Sequence, residues 1–376
     1  MTDPPWRWGN APRELSLKTA SADPGAALGL LRSAAPMDSL TSLQVESKRG
    51  AGLLAADLQA MAAACPNLRA LSLDRAELRG PAGAVFEHLT SLELRDCTAC
   101  GGGGDAVPIP GLQAPDLHHA TPRLAALRVY GATSPFCAGL AAGHPSVREL
   151  KLTSLGAEDE ADDGDHCADA WLWAASRMPK LEVLEAYGLA RYAFDRIAPF
   201  ADAVDAGGAP LLGEMDLEHE LTSSVLHRVC FYLSRCAALT SLDIDFEIGE
   251  ARGGLGAALA SIGAAAGPRL TFLCLRGFEL PSAAPGDAGR VLYALPLFSD
   301  LDELHLDFSD AISQEPHLEA RVHALLAPLP ALRQHCPKLA SISLVLPDWA
   351  PTPGMDAAFD AWREGMCAAH PGLEFA

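Results

Sequence analysis

Leucine, with Ile, Val, Met or Ala sometimes in its place, recurs along this chain as L-x-x-L-x-L. Eleven clear copies run from Leu40, Leu43, Val45 to Leu339, Ile342, Leu344. The others begin at Leu68, Leu89, Leu124, Val147, Leu181, Leu212, Leu239, Leu270 and Leu301. A weak copy lies near Leu15 and Leu17, and a truncated one begins at Leu373. Successive starts are 21 to 38 residues apart. The alternating half of each hexad predicts a short strand with one face buried. Repetition at this period predicts stacked units rather than separate globular domains. Pro stands two residues before the first Leu or Val at Pro66, Pro122, Pro145, Pro179, Pro210, Pro268, Pro337 and Pro371. Pro ends a helix and pushes its predecessor toward extended backbone, so it marks the turn into each strand. Helical spacing of apolar residues is seen at Leu53–Ala64, Val225–Ser234 and Met355–Ala369. Each unit thus reads strand, turn, helix, turn, and only stacking buries its apolar face.

The stretch Cys65-Pro-Asn-Leu-Arg-Ala-Leu-Ser-Leu73 resembles the leucine-rich-repeat family, closest to the cysteine-containing repeats of its F-box class. The resemblance covers roughly residues 12 to 376. It implies an α/β solenoid, a horseshoe with parallel strands on the concave face and helices on the convex face. It also implies protein–protein binding on the concave face. Residues 1–11 are expected as an N-terminal cap segment, with Trp6 and Trp8 closing the core. Residues 12–376 are expected as one continuous solenoid of about 12 irregular repeats ending in a truncated strand. The family usually places Asn or Cys three residues after the hexad. Here Cys97 fits, Ser309 approximates, and the other copies depart, so the backbone must be satisfied another way. The segment before the first repeat is too short for an F-box, so that class's adaptor role is not carried over directly.

Charge changes the picture next. The 376 residues include 28 Lys plus Arg against 48 Asp plus Glu, a formal net charge of −20. Such a chain repels phosphate, which argues against general nucleic-acid binding. Apolar residues make up 49%, enough for a large core. No apolar run reaches the length of a membrane span, and the N-terminus does not look like a secretory or transit signal. The cytoplasm, with the nucleus as alternative, is the expected compartment. The ten cysteines are expected as small buried thiols, not bridges.

Strand alternation places hexad positions three and five, and the two residues after the hexad, on the concave surface. From Leu68 to Val147 these positions hold Asp74, Arg75, Glu93, Arg95, Asp96, Arg128, Glu149 and Lys151, which balance. From Leu212 to Leu301 they hold Glu214, Asp216, Glu218, Asp243, Asp245, Arg276, Glu303 and Asp307, seven acids and one Arg. Tyr130, Tyr187, Phe246, Phe272 and Phe308 interleave. These residues form the expected partner-binding groove: carboxylates steer a basic protein and aromatics anchor it. The competing reading is that an acidic protein simply solvates its strand faces.

Other constellations are weaker. Cys97-Thr-Ala-Cys100 would need His118 and His119 to complete a zinc site. The run Glu158–Asp165 fails the spacing of a calcium loop and reads as a solvated loop. Asp216 and Asp243 occupy the same position on adjacent strands and would repel unless a cation relieved them. Arg276 invites comparison with an arginine finger, but an ion pair with Asp245 or Asp307 is the expected role. No nucleophile, metalloprotease or P-loop motif occurs. The expected protein is a noncatalytic scaffold with no cofactor and no structural metal, whose partner is a basic protein and neither nucleic acid nor membrane. The alternatives are a substrate-recognition subunit of a ubiquitin ligase and a GTPase-activating repeat protein.

Overall fold

A computed structural model describes residues 12–18, 37–79, 85–95, 97–99, 120–130, 144–153, 178–189, 211–219, 230, 233–246, 254–277, 293–308, 332–345, 360–365, 367–368 and 374–375. The chain forms two compact units. One comprises residues 1–184 and 205–209; the other comprises residues 185–204 and 210–376.

The first unit carries β1 (Glu14–Lys18), β2 (Ser42–Leu54), β3 (Ala70–Arg79), β4 (Ser91–Arg95), β5 (Thr98–Ala99), β6 (Ala126–Tyr130) and β7 (Glu149–Thr153). Their order in the sheet is β1-β2-β3-β4-β6-β7, with β5 beside β3, and every pairing is parallel. Strand β8 (Val183–Leu189) contains the division between the units. The second unit carries β9 (Glu214–His219), β10 (Ser241–Phe246), β11 (Phe272–Arg276), β12 (Glu303–Asp307), β13 (Ser341–Val345) and β14 (Glu374–Phe375) in sequence order, again all parallel.

The hexad pattern sets the register. Leu71, Leu92 and Leu127 are successive Cα partners, as are Met215, Leu242, Leu273, Leu304 and Ile342. All are buried. Each such leucine contributes about 1.5–3 kcal/mol by leaving water, and a one-residue slip would expose the whole set.

The turns ahead of the strands follow one scheme. Leu68 N–H donates to the Cys65 carbonyl at 3.1 Å, and Leu124 to Thr121, Leu181 to Met178, Leu239 to Cys236 and Leu339 to Cys336 do likewise. These are four-residue turns, and Pro66, Pro122, Pro179 and Pro337 hold the second position, where a fixed φ is suited. The residue before the Pro points inward: Cys65, Thr121, His144, Met178 and Cys336 are buried. Cys65, Cys236 and Cys336 all occupy this buried place. Burial pushes the Cys65 and Cys336 thiols up to about 11, which makes them inert apolar fillers.

The missing polar ladder is replaced at the opposite end of the hexad. The carbonyl at hexad position two accepts two N–H groups from the next repeat: Arg69 and Ala70 donate to Thr41, Thr271 and Phe272 to Thr240, and Asp302 and Glu303 to Thr271. Where that position is Thr, its hydroxyl donates to the preceding repeat, as Thr41 does to Arg13, Thr90 to Arg69, Thr240 to Gly213 and Thr271 to Thr240. Cys97 donates its thiol to the Leu73 carbonyl at 3.4 Å.

Three local expectations shift. The helix expected from Leu53 begins at Ala55, because β2 continues through Leu54 to pair with Arg79. This helix, α1, is Ala55–Ala64. The pairing of β2 with β3 shifts register between Glu46 and Ala51, opposite Arg75, whose φ of 55° is left-handed. Helix α2 (Gly254–Ala266) forms where the apolar spacing predicts no element; a 3-10 turn, Gly267–Arg269, follows it. A second 3-10 turn, Leu295–Leu297, and a short helix α3 (Leu332–His335) complete the described helical elements of this unit that bear on its packing. Of the expected helix at Val225–Ser234, most lies outside the described residues. Within the expected helix Met355–Ala369, residues 360–365 are helical.

Among the described residues no helix is long and apolar enough to cross a membrane. Open parallel sheets with hexad leucines buried and few helices are the architecture of a leucine-rich-repeat solenoid, an α/β fold. Trp6, Trp8, Cys100, His118, His119 and the acidic run at 158–165 lie outside the described residues.

Candidate functional site

The side of each sheet opposite the leucines is its open face. In the first unit this face is electrically compensated. Glu46 pairs with Lys18 at 2.8 Å and with Arg75, which also pairs with Asp74 at 3.2 Å. The Lys18 hydrogen bond, with the Lys18 and Arg75 charges, holds Glu46 below its ordinary value against the opposing effect of desolvation. Arg95 pairs with Glu93 and lies 5.1 Å from the centre of the Tyr130 ring. Arg128 grips Glu149 at 2.7 Å, and Arg148 reaches Glu182 at 2.7 Å. Tyr130 therefore belongs to this unit and serves as a platform for Arg95. It is not part of the acidic rows.

The second unit differs. Its strands set Glu214, Ser241, Phe272, Glu303 and Ser341 in one register row. Asp216, Asp243, Cys274, His305 and Ser343 form the next row. Glu218, Asp245, Arg276, Asp307 and Val345 form the third. The register thus brings together the residues expected from the sequence, and adds Cys274 and His305. Both stand at hexad position five, the signal that could have named them.

Glu214 and Glu303 are exposed, and Phe272 lies half-buried in the same row. An apolar ring between two water-facing carboxylates suits the aliphatic stem and cationic head of a Lys or Arg. The side chains of Glu218 and Phe246 lie outside the described residues. Phe308 corrects an expectation: it is 1% exposed. Strand alternation simply continues through Leu304, Leu306 and Phe308, so the ring points into the core. Its N–H donates to the Val345 carbonyl at 2.8 Å.

The middle row has the most structure. Tyr187, half-buried on β8, donates its hydroxyl to Asp216 Oδ2, and its oxygen also lies 3.3 Å from Glu185 Oε2. Burial, with the hydrogen bond to Asp216, pushes the phenol well above its ordinary value. Arg276 pairs with Asp243, a carboxylate the sequence reading did not name for it. Asp245 and Asp307 are its direct strand neighbours, but the side chain leans back to Asp243, whose side chain is only 15% exposed and gains most from a nearby cation. Arg276 is thus engaged in structure and is not presented as a finger. Burial pushes the Cys274 thiol up to about 12, so it is no nucleophile.

Asp216 faces Asp243 directly across the ladder. Desolvation raises the Asp216 carboxyl above its ordinary value; the Tyr187 hydrogen bond opposes this and the Asp243 charge adds to it. An aspartate raised in the folded state carries no penalty below its unfolded value, and the penalty appears as pH rises through the folded value. Asp216→Asn keeps an oxygen for Tyr187 and removes the like charge. It is expected to raise stability by about 0.5 kcal/mol at neutral pH, discounted for solvent screening. Melting temperatures against pH check this: the gain should vanish in acid, and a loss at neutral pH would refute it.

Among the described residues no group of three or more His, Cys, Asp or Glu is placed to hold a metal ion. No family model matches the chain. No curated protein matches it. Among solved structures it is similar to the leucine-rich repeat-containing protein LegL7 from Legionella pneumophila, at 15% sequence identity and a TM-score of 0.45, covering 96% of this chain and 100% of that one.

Proposed function

We propose that this protein is a noncatalytic interaction scaffold whose second unit docks a basic protein segment on the open face of its sheet. The observation that carries this is the contrast between the faces of the two units. In the first, cations and carboxylates pair across strands. In the second, strands β9 to β12 hold seven carboxylates and one Arg, and that Arg is drawn to Asp243. Solvation alone would not concentrate the imbalance on one run of adjacent strands. Strands about 4.8 Å apart make the four-strand patch roughly 15–20 Å wide, which fits a helix, an extended peptide or one edge of a small domain. Glu214, Asp216, Asp243, Asp245, Glu303 and Asp307 steer the partner, and Phe272 anchors it.

The test uses the protein as bait in lysate from its source cells, beside a Glu214→Lys/Glu303→Lys variant. A partner retained by the wild type at low salt, released as salt rises and not retained by the variant supports the proposal. Equal retention by a folded variant refutes it.

A further inference from the structure

We propose that the first register row of the second unit, Glu214, Ser241, Phe272, Glu303 and Ser341, reads an extended segment of the pattern basic–x–apolar–x–basic lying across the strands. This rests on the proposed docking of a basic protein and names the kind of segment that docks. Two observations carry it: which side chains of the open face are still available, and how far apart they stand.

Availability separates the rows. In the second row the Tyr187 hydroxyl occupies Asp216, and Arg276 occupies Asp243. In the third, Asp245 and Asp307 already interact within the chain, and Arg276 leans away to Asp243. The first row differs. Among the described residues no hydrogen bond or ion pair engages its five side chains. Glu214 and Glu303 are exposed, while Ser241, Phe272 and Ser341 are half-buried. The row thus offers two carboxylates, two hydroxyls and an apolar ring. Charges engaged elsewhere on the face steer a partner from a distance. Direct contact falls to the groups that hold nothing else.

Spacing selects the conformation. Direct Cα pairing runs Glu214, Ser241, Phe272, Glu303 on β9, β10, β11 and β12. Three strand intervals of about 4.8 Å put the two glutamates about 14 Å apart at the backbone. In an extended chain residues i and i+4 share a face and lie roughly 13–14 Å apart. Residue i+2, on the same face, falls between Ser241 and the Phe272 ring, where an apolar side chain gains by leaving water. Residues i+1 and i+3 turn away from the sheet. A helix matches less well, since its same-face residues seven or eleven apart are separated by about 10.5 or about 16.5 Å. The Ser241 and Ser341 hydroxyls also suit an extended chain, whose peptide groups are unpaired, whereas a helix satisfies its own.

The test uses the full chain and three synthetic peptides of one composition, titrated at low salt by calorimetry. Each carries two lysines and one leucine in alanine and serine filler. The matched peptide has its lysines four residues apart with leucine midway. The second has them adjacent, and the third has them seven apart. The matched peptide is expected to bind about tenfold tighter than either of the others. Glu214→Gln/Glu303→Gln is expected to abolish that preference. Asp245→Asn is expected to weaken all three alike and leave the preference intact. Equal binding of the three, no binding, tighter binding of another spacing, or a preference that survives the double variant overturns the pattern. The comparison between peptides does not depend on any variant folding. Equal peptide binding beside a captured, salt-sensitive partner would strike the pattern and leave the scaffold standing. A spacing preference with no partner captured would strike the scaffold reading alone.

Discussion

Gly267→Ala is expected to cost the second unit about 3 kcal/mol of stability, the upper range for overpacking a close-packed interior. Gly267 opens the 3-10 turn after α2, and it is buried. A Cβ there would lie 2.3 Å from the carbonyl oxygen of Leu297 and 3.0 Å from its carbonyl carbon. These are backbone atoms of the neighbouring 3-10 turn, so no side-chain rotation relieves the clash. The turn cannot back away freely, because Ala294, Leu295 and Phe298 around it are buried. Gly263 makes a useful contrast. Its added Cβ would also be too close, at 2.8 Å from Leu297 Cβ and 2.9 Å from its Cδ1, but this approach is looser than the 2.3 Å at Gly267, and Ala gains about 1 kcal/mol over Gly within a helix. Gly263→Ala is therefore the milder change. For a unit of this size, the Gly267→Ala cost corresponds to a fall in melting temperature of roughly 6–12 °C. Calorimetry of the two variants beside the wild type checks it, and an unchanged melting temperature in Gly267→Ala would contradict the packing described.

Reversing Glu214 and Glu303 together is expected to weaken the partner by about 2–3 kcal/mol, roughly 30- to 150-fold. Both side chains are exposed and flank the Phe272 row. Their reversal puts like charge against a basic partner at the place where its side chains would settle. Stability should change by less than about 0.5 kcal/mol, since neither residue is buried. That separation of affinity from folding is why these two are preferred to Asp216 and Asp243. Lysines at those two positions would also disturb Tyr187 and Arg276. The affinity that remains should depend less on salt, because two attractive charges have become repulsive ones.

The repeat was legible because it rests on one physical requirement: every strand must turn the same positions toward the core. From that period came the parallel register, the inward leucines, the Pro-bearing turns and the pairing of Asp216 with Asp243. What escaped the pattern has local causes. Helix α2, GLGAALASIGAAA, is so uniformly small and apolar that no helical face stands out. Alternation extends to Phe308, which is buried, whereas the expected register turns both residues after the hexad outward. Arg276 has a long side chain, and strand neighbours alone do not say which of three carboxylates it will reach. The hydroxyl ladder of Thr41, Thr90, Thr240 and Thr271 was visible as L-T-S-L or L-T-F-L in four repeats. It lies inside the hexad, whereas the polar position that the resemblance implies follows the hexad.

The central claim is that the open face of the second unit, and not acidity in general, selects the partner. It is tested most directly by binding isotherms of the captured partner with three proteins of equal stability: wild type, Glu214→Lys/Glu303→Lys and Glu182→Lys. Glu182 is a carboxylate of the first unit, already paired with Arg148, and serves as the control for charge alone. The account predicts a large loss for the double variant and little change for the control. Equal losses in both, or none in the double variant, would contradict it.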